Sequence, residues 1–213
     1  MFTSRIDLSD GMNHTPATFD LVVVAASAGG LKACIKVVAG LPADFPLPVV
    51  VVQHIGQDGP SLMADILARH TPLRVRQAGD GDVLLGGTVY TPAPARHLRV
   101  HPGGTLSLLD SPRVRFVRPS ADVLFASAAD AFGDRVIAVV LTGCGSDGAD
   151  GVRAVRRRGG FVIAQDEATS EHFDMPYHAV LTRKVDLVLP LGQIAFALQT
   201  LVMMSEENLT LPG

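Results

Sequence analysis

Four uninterrupted apolar runs constrain the fold of this chain more than any other feature of its sequence. They lie at Leu21 to Ala26, Val49 to Gln53, Val136 to Thr142 and Phe161 to Gln165. Small or polar residues follow each run, and a helical pattern comes next. Strands that helices cover on both faces have this continuous apolar character. The pattern predicts an α/β fold with a doubly wound, mostly parallel sheet and helices on both faces.

The stretch from Val83 to Leu109 departs from this alternation. It contains short β-like pieces that are separated by Gly86-Gly87 and by Pro102-Gly103-Gly104. Such residues favour tight turns between antiparallel strands. We therefore expect an antiparallel hairpin excursion between the α/β units. Amphipathic or apolar helices are predicted at Ser61 to His70, Ala121 to Phe132 and Gly192 to Met204.

The length and apolar content of the chain suit a single folded domain. With 213 residues, of which 47% are hydrophobic, it can bury one substantial core, and no stretch resembles a long interdomain linker. We expect a flexible leader over residues 1–18, the folded domain over residues 19–204 and a flexible tail over residues 205–213.

Charge, cysteine content and hydropathy exclude several classes of protein. A net charge of −3 argues against general nucleic-acid binding, which needs an excess of Lys and Arg. Cys34 and Cys144 are too few for a disulfide framework and lack the spacing of a structural zinc site. No apolar run approaches the roughly 20 residues of a membrane span, and no secretory signal precedes the first strand. We expect a soluble cytoplasmic protein without membrane insertion.

Three predicted strands are followed by side chains that could work together in nucleophilic catalysis. Ser27 follows the first strand, His54 follows the second, and Asp147 lies in the glycine-rich turn after the third. The carboxyl ends of parallel strands meet at one edge of a sheet. A serine hydroxyl becomes a strong nucleophile when an imidazole takes its proton, and a carboxylate orients that imidazole. These three residues are therefore candidates for a catalytic triad.

At these positions the sequence resembles the catalytic domain of the CheB-type chemotaxis protein-glutamate methylesterases. The resemblance spans roughly Asp20 to Val202 and depends on four segments in the expected order. The segments are Ala25-Ala26-Ser27-Ala28-Gly29-Gly30, Gln53-His54, Leu141-Thr142-Gly143-Cys144-Gly145-Ser146-Asp147-Gly148-Ala149, and Ala164-Gln165-Asp166-Glu167 leading to Met175-Pro176. One such segment would be a weak signal, but four in order are a specific one.

The resemblance implies a role for each candidate residue. Ser27 is the expected nucleophile, His54 the general base and acid, and Asp147 the orienting carboxylate. The expected substrate is a glutamate γ-methyl ester on the cytoplasmic helices of a chemoreceptor, and receptor glutamine amides are a second possible substrate. No metal or cofactor is expected. The residues expected to line the oxyanion region are Ala28, Gly29, Cys144 and Gly145.

Familiar chemotaxis members of this family carry a phosphorylatable receiver domain ahead of the catalytic domain. Only twenty residues precede the first strand here. From this we expect a catalytic domain without a receiver domain, active without phosphorylation unless a separate regulatory protein restrains it.

Several residues keep a simpler interpretation beside the functional one. Arg153, Arg156 and Arg157 could dock acidic receptor helices, but cations near a helix C-terminus also complement the helix dipole. His97 and His101 have a spacing found among metal ligands, yet no third ligand is evident, and surface or turn histidines are favoured.

Two other functions stay open at this point. One is a non-catalytic chemosensory binding module that keeps the fold, and the other is a serine esterase for small-molecule esters. A nucleotide-binding site is disfavoured because Ala28-Gly29-Gly30 belongs to neither a complete G-x-G-x-x-G pattern nor a phosphate-binding loop.

Overall fold

A computed structural model describes residues 19–54 and 62–207. The predicted leader, residues 1–18, and residues 208–213 of the predicted tail lie outside the described residues. The predicted domain boundaries therefore stay predictions.

The described part of the chain alternates between strands and helices except for four successive strands in its middle. The strands are Leu21–Ala26 (β1), Val49–Gln53 (β2), Arg74–Gln77 (β3), Thr88–Thr91 (β4), His97–Val100 (β5), Leu106–Leu109 (β6), Val136–Val140 (β7), Phe161–Gln165 (β8) and Leu187–Leu189 (β9). The α-helices are Gly30–Ala39 (α1), Met63–Ala68 (α2), Ala121–Phe132 (α3), Ala149–Arg157 (α4), Asp174–Leu181 (α5) and Leu191–Glu207 (α6). A short 3-10 helix, Gly133–Arg135, joins α3 to β7.

Seven of the described strands form one sheet in the order β3-β4-β2-β1-β7-β8-β9, and every neighbouring pair is parallel. β5 and β6 pair separately as an antiparallel hairpin. The predicted α/β architecture, with its mostly parallel sheet and hairpin excursion, is confirmed. On one side of β1 the chain places β2, then β3 at the sheet edge and β4 between them, and it then returns to place β7 on the other side of β1.

Helices cover both faces of this sheet because successive residues of each strand point to opposite sides. Val22 and Val24 of β1 pack in the core that includes residues of α1, α2 and α6. Leu21 and Val23 pack in the second core, with residues of α3, α4, α5 and the hairpin. All six residues of β1 are buried, which explains its continuous apolar sequence.

The hairpin prediction is right for β5 and β6, but β4 is an additional strand of the main sheet. β4 lies between β2 and β3 and is buried along its whole length. Its sequence, Thr-Val-Tyr-Thr, lacks a continuous apolar run because Thr88, Tyr90 and Thr91 carry hydroxyl groups. The Tyr90 hydroxyl is satisfied by donating a hydrogen bond to the Val83 carbonyl at 2.9 Å.

Three elements differ slightly in their boundaries from the sequence-based expectation, and one of them is α6, which runs from Leu191 to Glu207 rather than from Gly192 to Met204. β7 ends at Val140 rather than at Thr142, whose amide donates a hydrogen bond to the Gln165 side chain at 2.8 Å. α2 is shorter than predicted, beginning at Met63 and ending at Ala68. In the part of the chain that the structure describes, no helix combines the length and hydropathy needed to cross a bilayer.

Candidate active site

The candidate site lies where the chain direction across the sheet reverses, at the carboxyl ends of β2, β1 and β7. Neighbouring crossovers leave to opposite sides at such a point, so a crevice opens outside the strand ends. Ser27 follows β1 and His54 follows β2 directly, and Asp147 lies in the turn between β7 and α4. The prediction that these three residues belong to one sheet edge is confirmed by the strand order.

Ser27 is held in a sharp turn between β1 and α1. Its amide donates to the Thr142 carbonyl at 3.0 Å, and its own carbonyl accepts from the Gly30 amide at 2.8 Å. Gly29, at the N-cap of α1, has a φ of 72°, in the left-handed region that favours glycine. The turn therefore fixes the backbone of Ser27 directly at the start of a ten-residue helix.

Register places His54 beside Ser27. Ala26 pairs with Gln53 at the end of the β1–β2 ladder, and the His54 amide donates to the Ala26 carbonyl at 3.1 Å. Neighbouring strands are about 4.8 Å apart. Among the residues that the structure describes, the Ser27 hydroxyl makes no hydrogen bond to His54, and such bonds often tighten only when substrate binds.

The imidazole of His54 is oriented by Asp147. Nε2–H of His54 donates to Oδ2 of Asp147 at 2.8 Å, and the side chain of His54 is only 11% exposed. We assign the proton to Nε2 because an ionised carboxylate only accepts hydrogen bonds. Nδ1 then carries the lone pair that can take a proton from a nucleophile.

Asp147 is buried and receives three further hydrogen bonds from the start of α3. The Ser120 hydroxyl and the Asp122 amide donate to Oδ1 at 2.7 and 3.2 Å, and the Ala121 amide donates to Oδ2 at 2.6 Å. Burial raises the pKa of the Asp147 carboxyl, but hydrogen bonds from His54, Ala121 and Ser120 outweigh it and hold the pKa below its usual value. Asp147 is therefore held as an anion facing an imidazole.

The turn after β7 supports the Ser27 turn from the other side. Thr142 donates its hydroxyl hydrogen toward the carbonyls of Ala28 and His172, both at 3.1 Å, and accepts from the His172 amide at 2.8 Å. A Cβ atom built on Gly143 would lie 2.7 Å from Cβ of Ser27, so only glycine fits against the serine. Through Thr142, the loop after β8 is therefore connected to the turn after β7 and to the Ser27 turn.

The four residues predicted to line the oxyanion region occupy different environments. Ala28 and Gly29 are half-buried in the turn before α1, whereas Cys144 and Gly145 are exposed beyond Gly143. The amides of Ala28 and Gly29 belong to the helix N-terminus, where unpaired N–H groups favour negative charge. An oxyanion role for these residues stays a prediction.

The predicted docking arginines lie on α4 and already interact with the protein's own acidic groups in two cases. Arg153 donates to Asp150 at 2.7 Å. Arg156 pairs with Asp186 at 3.1 Å and donates to the Gly160 carbonyl at 2.6 Å. Arg157 is exposed in the last turn of α4, beside the helix C-terminus. A docking role for the three arginines stays a prediction.

The two histidines with metal-like spacing are engaged in separate hydrogen bonds. His97 is fully buried, so its favoured interpretation as a surface or turn residue was wrong. It lies on β5 and contacts the Ser120 amide and the Pro112 carbonyl, whereas His101 bonds to Ser107. Over residues 19–54 and 62–207, no group of three or more His, Cys, Asp or Glu side chains is arranged to hold a metal ion.

Sequence reasoning missed the residues that support the triad candidates, notably Ser120, Thr142 and Gln165. Gln165 is fully buried, accepts from the Thr142 amide and donates to the Thr169 carbonyl at 2.7 Å. Ser120 precedes a predicted amphipathic helix, which is the position of an N-cap. That signal identifies the helix start but gives no indication that the hydroxyl contacts Asp147.

Comparisons of sequence and of structure with known proteins match this chain to the same family. A family model described as CheB methylesterase matches residues 22–198. The chain is similar to the crystal structure of the Thermotoga maritima CheB methylesterase catalytic domain, with a TM-score of 0.81 and 33% identity. The match covers 88% of this chain and 100% of that chain.

Proteins with similar sequences are also named as protein-glutamate methylesterases. The protein-glutamate methylesterase FrzG of Myxococcus xanthus is 44% identical over 86% of this chain and 55% of its own length. A protein-glutamate methylesterase/protein-glutamine glutaminase of Anaeromyxobacter dehalogenans is 45% identical over 87% of this chain and 54% of its own length. A Leptospira interrogans protein whose name proposes the same two activities is 35% identical over 90% of this chain and 97% of its own length. The chain thus spans about half the length of the first two relatives and nearly all of the third.

Proposed function

The chain belongs to the CheB methylesterase family, and on that premise we propose that it is a serine hydrolase acting on glutamate γ-methyl esters of chemoreceptors. Hydrolysis of receptor glutamine amides is a second reaction of the same site. The observation that carries the proposal is the 2.8 Å hydrogen bond between His54 and Asp147, directly beside the Ser27 turn. The fold alone would leave the chemistry open, because one fold can host many functions.

In the proposed acylation step, Ser27 Oγ attacks the ester carbonyl carbon while Nδ1 of His54 takes the hydroxyl proton. The resulting imidazolium keeps its Nε2–H hydrogen bond to Asp147, and the negative charge of this carboxylate stabilises the cation. Amides at the start of α1 face the negative charge that develops on the carbonyl oxygen. The tetrahedral intermediate collapses, and methanol leaves with the proton from His54.

Deacylation repeats the same proton transfers with water. His54 accepts a proton from a water molecule that attacks the glutamyl ester of Ser27, and then returns a proton to Ser27 Oγ. The products are the receptor glutamate and the original serine. The net reaction consumes one water for each ester cleaved and releases methanol. No metal or redox cofactor takes part in these steps.

The proposed partner is the cytoplasmic helical region of a methyl-accepting chemoreceptor. This region would present the ester to the edge of the sheet where β1, β2 and β7 end. We further propose that the protein is cytoplasmic, that a separate regulatory protein restrains it and that it binds no nucleic acid.

Methanol release from membranes with methyl-labelled chemoreceptors tests the proposal. Wild-type protein should release methanol, and Ser27→Ala should abolish release. Ser107→Ala is a matched control, because its hydroxyl bonds to His101 in the hairpin rather than lying at the sheet edge. A fluorophosphonate probe should label Ser27 in the wild type and in Ser107→Ala only.

Three outcomes distinguish the alternatives. Turnover of small esters such as p-nitrophenyl acetate without receptor demethylation would favour a small-molecule esterase. Binding to receptor membranes with neither turnover nor probe labelling would favour a non-catalytic module. Demethylation that survives Ser27→Ala would contradict the proposed mechanism.

A further inference from the structure

We propose that Ser120 and His97 form a buried pair that positions the Asp147 carboxylate, so that the β5–β6 hairpin helps to set the geometry of the catalytic site. The inference deepens the proposed function, since it takes Asp147 as the carboxylate that orients His54. Neither Ser120 nor His97 touches the reacting atoms, and both act through Asp147.

The hydroxyl of Ser120 is directed at the carboxylate. It is fully buried and donates its one hydrogen to Oδ1 of Asp147 at 2.7 Å. The same oxygen accepts from the Val123 amide at 3.4 Å, the usual bond of a serine N-cap. If the hydroxyl served only as an N-cap, its shorter hydrogen bond would be the one to the Val123 amide. The shorter bond is instead the one to Asp147. With Oδ1 held in this way, Oδ2 faces His54.

His97 in turn holds the backbone of Ser120. Nδ1 of His97 accepts from the Ser120 amide at 3.1 Å, and Nε2–H donates to the Pro112 carbonyl at 3.0 Å. An amide can only donate here and a carbonyl can only accept, so both bonds require the neutral tautomer with its hydrogen on Nε2. We assign that tautomer to His97. The ring thereby joins β5 to the first residue before α3.

These contacts form a continuous series from the hairpin to the imidazole of His54. His97 binds the Ser120 amide, the Ser120 hydroxyl binds Asp147, and Asp147 binds His54. His97, Ser120 and Asp147 are each less than 5% exposed, so water competes little for these hydrogen bonds. A displaced Ser120 would leave Oδ1 with only the longer bond from the Asp122 amide.

Ser120→Ala tests the first link and Ser127→Ala is its control. Ser127 lies on the same helix, is also buried, and accepts from the Val100 amide of β5 at 3.1 Å without contacting Asp147. We expect Ser120→Ala to lower kcat for methanol release about tenfold with little change in KM, which is a loss of about 1.4 kcal/mol of transition-state stabilisation. Ser127→Ala should keep wild-type kcat.

A measurement without substrate follows the same link. The Ser120 hydrogen bond lowers the pKa of Asp147, so Ser120→Ala should raise that pKa. The titration of the Asp147 carboxyl by ¹³C NMR reads this directly in each purified protein. The other ionisable groups that face Asp147 are His54 and Asp122, and both are retained in the two variants.

Two substitutions of His97 test the second link. In His97→Asn the amide oxygen can take the place of Nδ1 and accept from Ser120, whereas in His97→Gln the amide nitrogen can take the place of Nε2 and donate to Pro112. Both remove the buried ring, so their losses of packing are similar. We expect the Asn variant to keep most of the wild-type kcat and Asp147 pKa, and the Gln variant to behave like Ser120→Ala.

The outcomes separate this inference from the proposed function. Equal kcat and equal Asp147 pKa in wild type and Ser120→Ala would overturn it, as would identical behaviour of the Asn and Gln variants in both measurements. If Ser120→Ala does not fold, the two His97 variants decide. If the wild type neither demethylates receptors nor reacts with a fluorophosphonate, the proposed function fails, and the NMR titration still decides whether Ser120 positions Asp147.

Discussion

Asp122 and Asp147 lie at the starts of two helices, and each carboxylate accepts hydrogen bonds from backbone amides at the start of the other residue's helix. Asp147, just before α4, accepts from the Ala121 and Asp122 amides of α3. Asp122 accepts from the amide of Gly148, the N-cap of α4, at 2.9 Å and from the Gly151 amide of α4 at 2.8 Å. Carboxylates are favoured at helix N-termini, where unpaired amides carry partial positive charge. This exchange fixes α3 against α4 at the position of the candidate catalytic carboxylate.

Asp122→Ala should destabilise the fold. It leaves the amides of Gly148 and Gly151, at the start of α4, without their acceptor and removes the Arg115 ion pair at 3.1 Å. A lost hydrogen bond to a charged group costs about 1.5–3 kcal/mol, so we expect a loss of that order in chemical denaturation. Asp150→Ala is the control, because Asp150 is 57% exposed and should cost less than about 1 kcal/mol. Equal losses would contradict a capping role for Asp122.

The free energy of unfolding should decrease as the pH is lowered through the range in which Asp147 titrates. The folded protein holds the pKa of this carboxyl below 3.8, because its hydrogen bonds to His54, Ala121 and Ser120 outweigh the effect of burial. As pH falls below about 3.8, the unfolded chain takes up a proton that the folded protein does not, and stability is lost until pH passes the folded pKa. Melting temperatures at pH 2.5 to 6 should therefore depend less on pH in Asp147→Asn than in the wild type. Parallel curves for the two proteins would show that the pKa of Asp147 is not lowered.

Gly143→Ala should displace Ser27, the proposed nucleophile. The new Cβ would collide with the Met175 sulfur and lie 2.7 Å from Cβ and 2.9 Å from the amide nitrogen of Ser27. Because a misplacement of 1 Å can cost about 100-fold in rate, we expect methanol release to fall by about that factor. Gly192→Ala is a suitable control, since nothing lies within 4 Å of a Cβ at that position. Wild-type activity in Gly143→Ala would show that the two turns are not closely coupled.

The two cysteines should differ sharply in reactivity. Cys34 is buried in α1, and burial raises the pKa of its thiol to about 12, whereas Cys144 is exposed after Gly143. A maleimide at pH 7.5 should modify Cys144 alone in the folded protein, as read by peptide mass spectrometry. If Cys144 lines the site, the adduct should lower methanol release severalfold. Cys144→Ser should resist inactivation by the same reagent, and an active adduct would remove Cys144 from the predicted lining.

The sequence by itself determined the layered α/β fold and the location of the candidate site. The runs that became β1, β2 and β8 coincide with the predicted strands, because strands buried on both faces must be apolar throughout. Ser27 and His54 were identifiable because strand ends and glycine-rich turns are local features. β4 was missed because three of its four residues carry hydroxyl groups, and no local pattern reveals the contact that satisfies the Tyr90 hydroxyl.

Only the tertiary structure decided which side chains hold Asp147. Ser120 lies 27 residues before Asp147 along the chain, and the two meet because α3 packs against α4 on one face of the sheet. His97 gave no local signal of burial, and its proposed role in holding Ser120 depends on the hairpin that packs against α3. Hydrophobic periodicity specifies which face of an element is buried, whereas the partner of a buried polar atom depends on how separate elements dock.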